Sequence, residues 1–249
     1  MKNGKIVIDA KDLYYRDLNR ILRETICREN PEEIELKNIF GQRYIGTNLR
    51  REVKLKLFGT PGGDLGAFMD GPIIDVYGNA QDGCGNTMNS GEIIIHGHAG
   101  DILGMSMRGG RIFVKDNVGY RVAIHMKEYE DKKPVIVIGG TAQDFLGEYM
   151  AGGIVILLGL NHGTDSYKSN FIGTGMHGGV IYIRGNVKDY QLGKEVGVDK
   201  VNEEDRTILE ENIERFANHF GYKAKEISNA NFIKLYPKYL RPYGKLYAY

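Results

Sequence analysis

Two histidines of this sequence are spaced as metal ligands could be. His96 and His98 lie two residues apart in the segment EIIIHGHAG, so on a β-strand both imidazole rings would face one side and could bind a metal ion. No third histidine, cysteine or carboxylate has an evident place beside them. We therefore expect a surface pair at a turn rather than a metal site, and whether His96 and His98 bind anything stays open.

The cysteines and the turn aspartates offer little catalytic chemistry. Cys84 lies in the glycine turn GCG with no base near it in the sequence, which disfavours a nucleophilic role. Cys27 is the only other cysteine, whereas an iron–sulfur cluster is held by four protein ligands, usually thiolates. Asp82, Asp101 and Asp144 each fall in a turn, where we expect the carboxylate to bond its own backbone. Catalysis by paired carboxylates stays possible, although no feature specifies it.

One glycine motif has the form of a cofactor loop. GTGMHG at 173–178 reads G-x-G-x-x-G, but a dinucleotide-binding motif must open a helix, and here the alternating segment GVIYIRG predicts a strand. His125 and His177 follow the sequence repeat and need no function of their own. The sequence thus predicts no catalytic, cofactor-binding or metal-binding residue in this chain.

The elements that carry these residues repeat along the chain. Met69, Met88, Met107 and Met126 are each nineteen residues apart, and the pattern Met-x-x-Gly with alternating apolar residues recurs as MNSGEIIIHG, MRGGRIFVKD, MAGGIVILLG and MHGGVIYIRG. A period near twenty residues is typical of a solenoid, and the short alternating segments predict β-strands. We expect an all-β solenoid with α flanks: a parallel β-helix of about seven coils over 41–187, with the methionines at its corners or in its core.

The alternation predicts which side chains point into the coils. We assign the following to the core: Ile93, Ile95, Ile112, Val114, Val155, Leu157, Ile181 and Ile183. The outward positions should form a solvated face at Glu92, His96, Arg111, Lys115 and Arg184. Ile154, Ile156 and Leu158, with Val135 and Val137, would instead form an outward apolar patch. Either a partner domain or the chain's own helix with the stripe Leu209, Ile213, Phe216 and Phe220 could cover it, and we favour the helix because it is tethered to the coils.

The two ends of the chain lack the repeat. Residues 1–40 predict a cap made of a helix over 11–30, which Pro31 ends, and a strand. Residues 188–249 predict a linker and a helical tail. Within that tail we expect one helix over 203–220, between an Asn202 cap and Gly221, and a second from about Ala224 to Tyr236. The final LYPKYLRPYGKLYAY suggests a docking tail, or a surface tail without a role.

Composition limits the kinds of partner. Lys and Arg number 33 against 32 Asp and Glu, for a net charge of +1, so no electrostatic footprint for nucleic acid is visible. The most apolar run, IVILLGL, is far too short to span a bilayer, and the N-terminal residues lack a signal-peptide pattern. We expect a cytoplasmic chain that binds no membrane, with a homo-oligomer possible.

The sequence resembles the GXGXG domain that closes the large subunit of glutamate synthase. The resemblance lies in GCG at 83–85, HGHAGD, SMRGG, GTGMHGG, IDAKDLYYRDLN, FGQRYIG and the stretch FGTPGGDLGAFMDGPIIDVYGNAQDGCGN. It continues through EEDRTILEENIERFANHFGYKAKEI and LYPKYLRPY, and so covers nearly all of the chain. It implies a right-handed parallel β-helix.

The resemblance also implies a function. In that family the β-helix is not catalytic: a separate domain with an N-terminal cysteine hydrolyses glutamine, and another holds FMN and an iron–sulfur cluster. This chain has Lys2 in place of such a cysteine and nothing like a flavin barrel. It resembles a free-standing scaffold of a split glutamate synthase, with FMN and iron–sulfur expected on partner chains.

Two alternatives stay open. Iron–sulfur formylmethanofuran dehydrogenases carry a subunit with similar coils, and the chain could belong to such a complex. It could also be a stand-alone β-helix enzyme, although Glu92, Arg111 and Arg184 form no acidic ladder along the outer face.

Overall fold

A computed structural model describes residues 5–161 and 167–239 of the chain. Within these residues, eleven strands form one sheet in the order β1-β2-β3-β4-β5-β6-β7-β8-β9-β11-β10. The elements are β1 (Ile6–Asp9), α1 (Tyr15–Glu29), β2 (Glu33–Phe40), β3 (Lys54–Thr60), β4 (Asp70–Tyr77), β5 (Ser90–Ile95), β6 (Arg111–Val114), β7 (Val135–Ile138), β8 (Ala151–Leu157), β9 (Gly178–Arg184), a 3₁₀ turn (Asp189–Gln191), β10 (Val196–Lys200), α2 (Glu203–Phe220), α3 (Ala224–Ser228) and β11 (Phe232–Pro237).

Strands β1 to β9 stack as a parallel β-solenoid. Each strand pairs in parallel with the next one along the chain, so Ile93 lies opposite Ile112 and Ile95 opposite Val114. The solenoid has about six turns, close to the seven expected. The prediction of a parallel β-helix is confirmed.

The interior of the solenoid holds the main hydrophobic core. All eight residues assigned to it from the alternation are fully buried there. Met69, Met88, Met107 and Met126 are also fully buried in this core, which confirms their expected place. Because each coil is too small to bury its own apolar face, stacking creates the core.

Helix α1 covers the first coil. It ends before Pro31, with Asn30 in the left-handed conformation, and it buries Leu18, Leu22 and Ile26 against the main core. The strand β1 that precedes it was not expected, because four residues are too few for an alternation to be visible.

Helix α2 covers the outer face of the later coils. Its bounds, its Asn202 N-cap and its Gly221 C-cap are as predicted. Its stripe packs on the outward apolar patch in a second core, which contains Val135, Val137, Ile154, Ile156, Leu158, Leu209, Ile213 and Phe216, with Phe220 partly buried against it. The prediction that the chain's own helix covers this patch is confirmed.

Two sequence predictions for the C-terminal part are wrong. The second helix, α3, ends at Ser228, and Phe232 to Tyr236 lie instead in β11, which pairs antiparallel with β9. The linker predicted at the start of residues 188–249 contains a strand, β10. The open edge of β9 supplies backbone partners that no local pattern reveals, so pairing overrides a helical assignment. Residues 240–249 of the expected docking tail lie outside the described residues.

The expectation of a solvated outer face is wrong at Glu92. Its side chain is only 12% exposed, because α2 lies over this part of the sheet. Arg111, from the next strand, reaches Glu211 of α2 at 3.1 Å. The covering helix therefore replaces water as the partner of these outward charges.

Candidate functional site

One corner of the solenoid repeats as a five-residue unit, which we call the pentad. In every pentad the first, third and fifth residues have positive φ, and the second is fully buried. The seven pentads lie at 44–48, 64–68, 83–87, 102–106, 121–125, 145–149 and 171–175. Their backbones bond from coil to coil: for example, the Gly85 N–H donates to the Leu65 carbonyl at 2.8 Å, and the Gly104 N–H donates to the Cys84 carbonyl at 2.8 Å.

The third position of the pentad is glycine in all but one case. Positive φ alone does not require it, because the first and fifth positions adopt the same conformation with larger residues such as Tyr44 and Phe68. Glycine is required because there is no room for a side chain: a Cβ added at Gly147 would lie 2.6 Å from the Ile181 Cδ1. The exception is Ala123. Val155 has the equivalent place in the strand ladder, and valine lacks a Cδ1 atom.

Cys84 holds the buried second position of its pentad. It is fully buried, and burial raises the pKa of its thiol well above the ordinary value. A thiol that stays protonated is a poor nucleophile. The residue therefore fills the position that Leu65 and Leu103 fill in the neighbouring coils.

The turn aspartates bond across coils rather than within their own turns, so that part of the sequence prediction is wrong. Asp82 accepts the Asp101 N–H at 2.9 Å, and Asp101 accepts the Tyr120 N–H at 2.9 Å. Asp144 accepts the Asn170 N–H at 2.7 Å. Stacking brings the N–H of the next coil within reach, which a single turn does not show. These carboxylates therefore link successive coils by hydrogen bonds.

His96 and His98 do not converge. The His96 Nε2 lies 2.9 Å from the Asp75 carboxylate, and its ring stacks on Tyr77 at 4.7 Å. The exposed His98 accepts the Asn117 N–H at its Nδ1 at 3.3 Å. Across the described parts of the chain no group of three His, Cys, Asp or Glu side chains is placed to hold a metal ion. The motif at 173–178 leads into strand β9 and not into a helix.

The last three pentads present a stacked surface, which we call the aromatic corner. The Arg121 guanidinium lies 4.9 Å above the Phe145 ring, which stacks on Phe171 at 4.9 Å. Beside them, His125 stacks on Tyr149 at 5.4 Å. Phe171 and Tyr149 are about half exposed. Aromatic residues and arginine are enriched at protein interfaces, so this corner is the candidate interaction surface.

Two charged clusters fasten α2 to the sheet. Glu92 accepts Arg215 Nη2 at 3.1 Å and lies 3.1 Å from His219 Nε2. Burial opposes the charge of Glu92, but the hydrogen bond and charge of His219, with Arg215, outweigh it and lower the pKa of this carboxyl. At the start of α2, Asp205 accepts the Tyr182 hydroxyl at 2.6 Å and the Lys234 ammonium at 2.7 Å.

The Glu92 cluster should make stability depend on acid pH. A carboxyl whose pKa is lower in the folded state stabilises the fold fully above its ordinary pKa of 4.5, and loses that effect as the pH falls through the folded value. We expect Glu92→Gln to flatten the fall in urea-unfolding free energy as the pH is lowered from about 5 to well below 4.5, and to leave the slope above about pH 5 unchanged. Glu211→Gln, at a more exposed ion pair, should change this slope less. Equal slopes for Glu92→Gln and the unaltered chain would contradict this account.

The comparisons with known proteins agree with this geometry. A family model described as the GXGXG motif matches residues 33–244. The chain belongs to the GXGXG motif family. This confirms the resemblance to the C-terminal domain of the glutamate synthase large subunit. In this GXGXG chain the three positive-φ positions of each pentad have the spacing of the three glycines in that motif.

Two further proteins are similar to this GXGXG chain. A protein of Methanocaldococcus jannaschii, described as uncharacterized, is 53% identical over 252 residues, which cover 98% of this chain and 96% of that protein. A chain in the crystal structure of the formyltransferase/hydrolase complex from Methylorubrum extorquens, solved with methylofuran, matches with a TM-score of 0.63. This match covers 90% of this chain and 88% of that chain at 16% identity, so it concerns the fold.

No helix in the described part of this GXGXG chain is long and apolar enough to cross a membrane. The sequence showed the repeat, but it did not reveal the aromatic corner. Arg121, Phe145 and Phe171 are 24 and 26 residues apart, because insertions break the nineteen-residue period there. Aligning each residue that precedes the motif glycine by two would have found this stack.

Proposed function

We propose that this chain is a structural subunit of a split glutamate synthase. It would hold the glutamine amidotransferase chain and the FMN and iron–sulfur synthase chain in register, so that ammonia passes from one to the other during glutamate biosynthesis. The observation that carries the proposal is the GXGXG family match over residues 33–244. The flavin and the cluster would belong to the partner chains.

The chemistry of the described residues supports a scaffolding role. The protonated, buried Cys84 is unsuited to nucleophilic attack, and the turn aspartates are engaged with backbone N–H groups. The aromatic corner, by contrast, offers rigid rings at a half-exposed surface. Rings held by stacking lose little conformational entropy on binding, which favours a docking surface.

A second candidate rests on the solenoid match to the formyltransferase/hydrolase complex. On that reading the chain would be the solenoid subunit of a formyl-transferring or formylmethanofuran dehydrogenase-like complex. The two candidates share a scaffold and differ in the chains that it holds.

A reconstitution assay tests the proposal. The pure chain should release no ammonia from glutamine above a buffer control and should show no flavin spectrum. Omitting the chain from a reconstituted enzyme should abolish most glutamine-dependent glutamate formation from 2-oxoglutarate, while ammonia-dependent formation persists. We expect the two rates to differ because the transfer of ammonia between two active sites requires them to be aligned. The reaction at each separate active site does not require this alignment. An unchanged glutamine-dependent rate without the chain would overturn the proposal.

A further inference from the structure

A groove runs between helix α1 and the first pentad. One wall is the exposed side of α1, with Tyr15, Asn19 and three arginines, and the other wall is Tyr44 and Thr47 of the pentad. Asn19 joins the walls by donating to the Arg43 carbonyl at 2.8 Å. The groove is thus built by two elements fixed to each other.

The charge of this groove is positive. Arg16, Arg20 and Arg23 lie at helical spacing on one side of α1, and Glu24 is the one carboxylate among the described residues that line the groove. Arg20 is paired with Asp17 at 3.3 Å, and its other nitrogen lies 3.7 Å from Glu24. Within the residues that the structure describes, Arg16 and Arg23 have no carboxylate partner: Arg16 donates to the Tyr15 hydroxyl, and Arg23 donates to the Thr47 carbonyl.

Aromatic rings frame these guanidinium groups. Tyr15 contacts Tyr44 with 5.7 Å between ring centroids, and the Arg43 guanidinium lies 5.1 Å above the Tyr44 ring. Tyr14 is 58% exposed beside them. Of the groove arginines, Arg16 has its guanidinium 5.8 Å above the Tyr15 ring. A guanidinium held over an aromatic face can still offer its N–H groups to a carboxylate in bidentate geometry.

We propose that this arginine groove binds an acidic segment of a partner protein chain. The partner is inferred from charge complementarity, since two guanidinium groups lack counterions. Arg16 and Arg23 are seven residues apart, or about 10 Å along the helix axis, which is too far for one small anion to bridge. A peptide with carboxylates every three or four residues spans that distance. The inference rests on the proposed scaffolding role and supplies one docking site for it.

A peptide-binding assay with the full chain tests the inference. The probe is a fluorescent alanine-rich peptide with glutamates at i, i+4 and i+7, and the matched probe has glutamines at those positions. At low salt we expect the glutamate peptide to bind and the glutamine peptide not to bind. Binding of the glutamate peptide should weaken as salt is added. Arg16→Gln with Arg23→Gln should weaken it about tenfold, because exposed charge pairs contribute modestly. Arg206→Gln, an exposed arginine on α2, is the control and should bind as before.

Several outcomes would overturn the inference. They are no binding of the glutamate peptide, equal binding by the folded double variant, or competition by inorganic phosphate at the concentration of the peptide, which would mark a small-anion site. Circular dichroism checks that the variants remain folded. If the double variant still recovers glutamate synthase chains in full, the groove is not their docking site and the proposed function stands. If the peptide binds but the recovered chains are not glutamate synthase chains, the proposed function fails and the inference about the groove is retained.

Discussion

Gly147→Ala should lower the free energy of unfolding by about 2–4 kcal/mol. Gly147 holds the third position of its pentad at φ +72°, where an added Cβ would lie 2.6 Å from the Ile181 Cδ1. The left-handed conformation costs a non-glycine residue about 1 kcal/mol, and overpacking a tight core adds roughly 1–3 kcal/mol. Urea denaturation followed by circular dichroism measures the loss.

A matched control separates the two costs. Gly41 has a similar φ of +82°, but a Cβ there would meet no atom within 4 Å. Gly41→Ala should therefore cost only about 1 kcal/mol, the backbone part. Ile181→Val should recover part of the loss in Gly147→Ala, because it reproduces the Ala123 and Val155 pairing. Equal losses for Gly147→Ala and Gly41→Ala would show that conformation, not space, keeps glycine in the pentad.

Phe216→Ala should destabilise the chain by about 3–5 kcal/mol, the usual cost of removing a fully buried ring. Phe216 is fully buried between α2 and the solenoid and contacts Phe220 at 4.8 Å between ring centroids. Its loss should also loosen α2 from the sheet. Hydrogen exchange would then speed up in Glu203–Phe220 more than in the inner strands.

The control for this helix is a surface ring. Phe171 is half exposed and stacks on Phe145, so Phe171→Ala should cost well under the Phe216 value. If Phe216→Ala leaves both the unfolding free energy and the exchange of α2 unchanged, the helix does not seal the apolar patch. In that case a partner chain would have to cover Ile156.

The sequence reveals the parallel strands because each carries its own pattern. Ile93 and Ile95 alternate with outward residues, and the methionines mark the same corner in successive coils, so period and face follow from local residue types. The position of α2 can also be predicted from the sequence. Its apolar stripe matches an outward apolar face of the coils that would be unfavourable to leave in contact with water.

Features that depend on neighbouring coils do not follow from the sequence. Asp101 looks like an isolated turn residue, yet its carboxylate bonds Tyr120 in the next coil. Strand β11 forms because β9 offers an unpaired edge, not because of its own residues alone. The aromatic corner is formed by the first and fifth residues of successive pentads. Insertions make their spacing in the sequence irregular, but the stacking of the coils places them directly above one another.

The solenoid has two candidate interaction surfaces, one at each end of its pentad corner. The arginine groove lies against the first pentad, and the aromatic corner is built on the last three. On the proposed function, these two surfaces would contact two different chains. This arrangement suits a protein that aligns two active sites.

The most direct test of the central claim is purification of the tagged full chain from its own host, with identification of the chains that copurify in stoichiometric amounts. The proposed function predicts a glutamine amidotransferase chain and a chain that carries FMN and an iron–sulfur cluster. Recovery of the chain without any stoichiometric partner, or with formyl-transferring chains in their place, would contradict it.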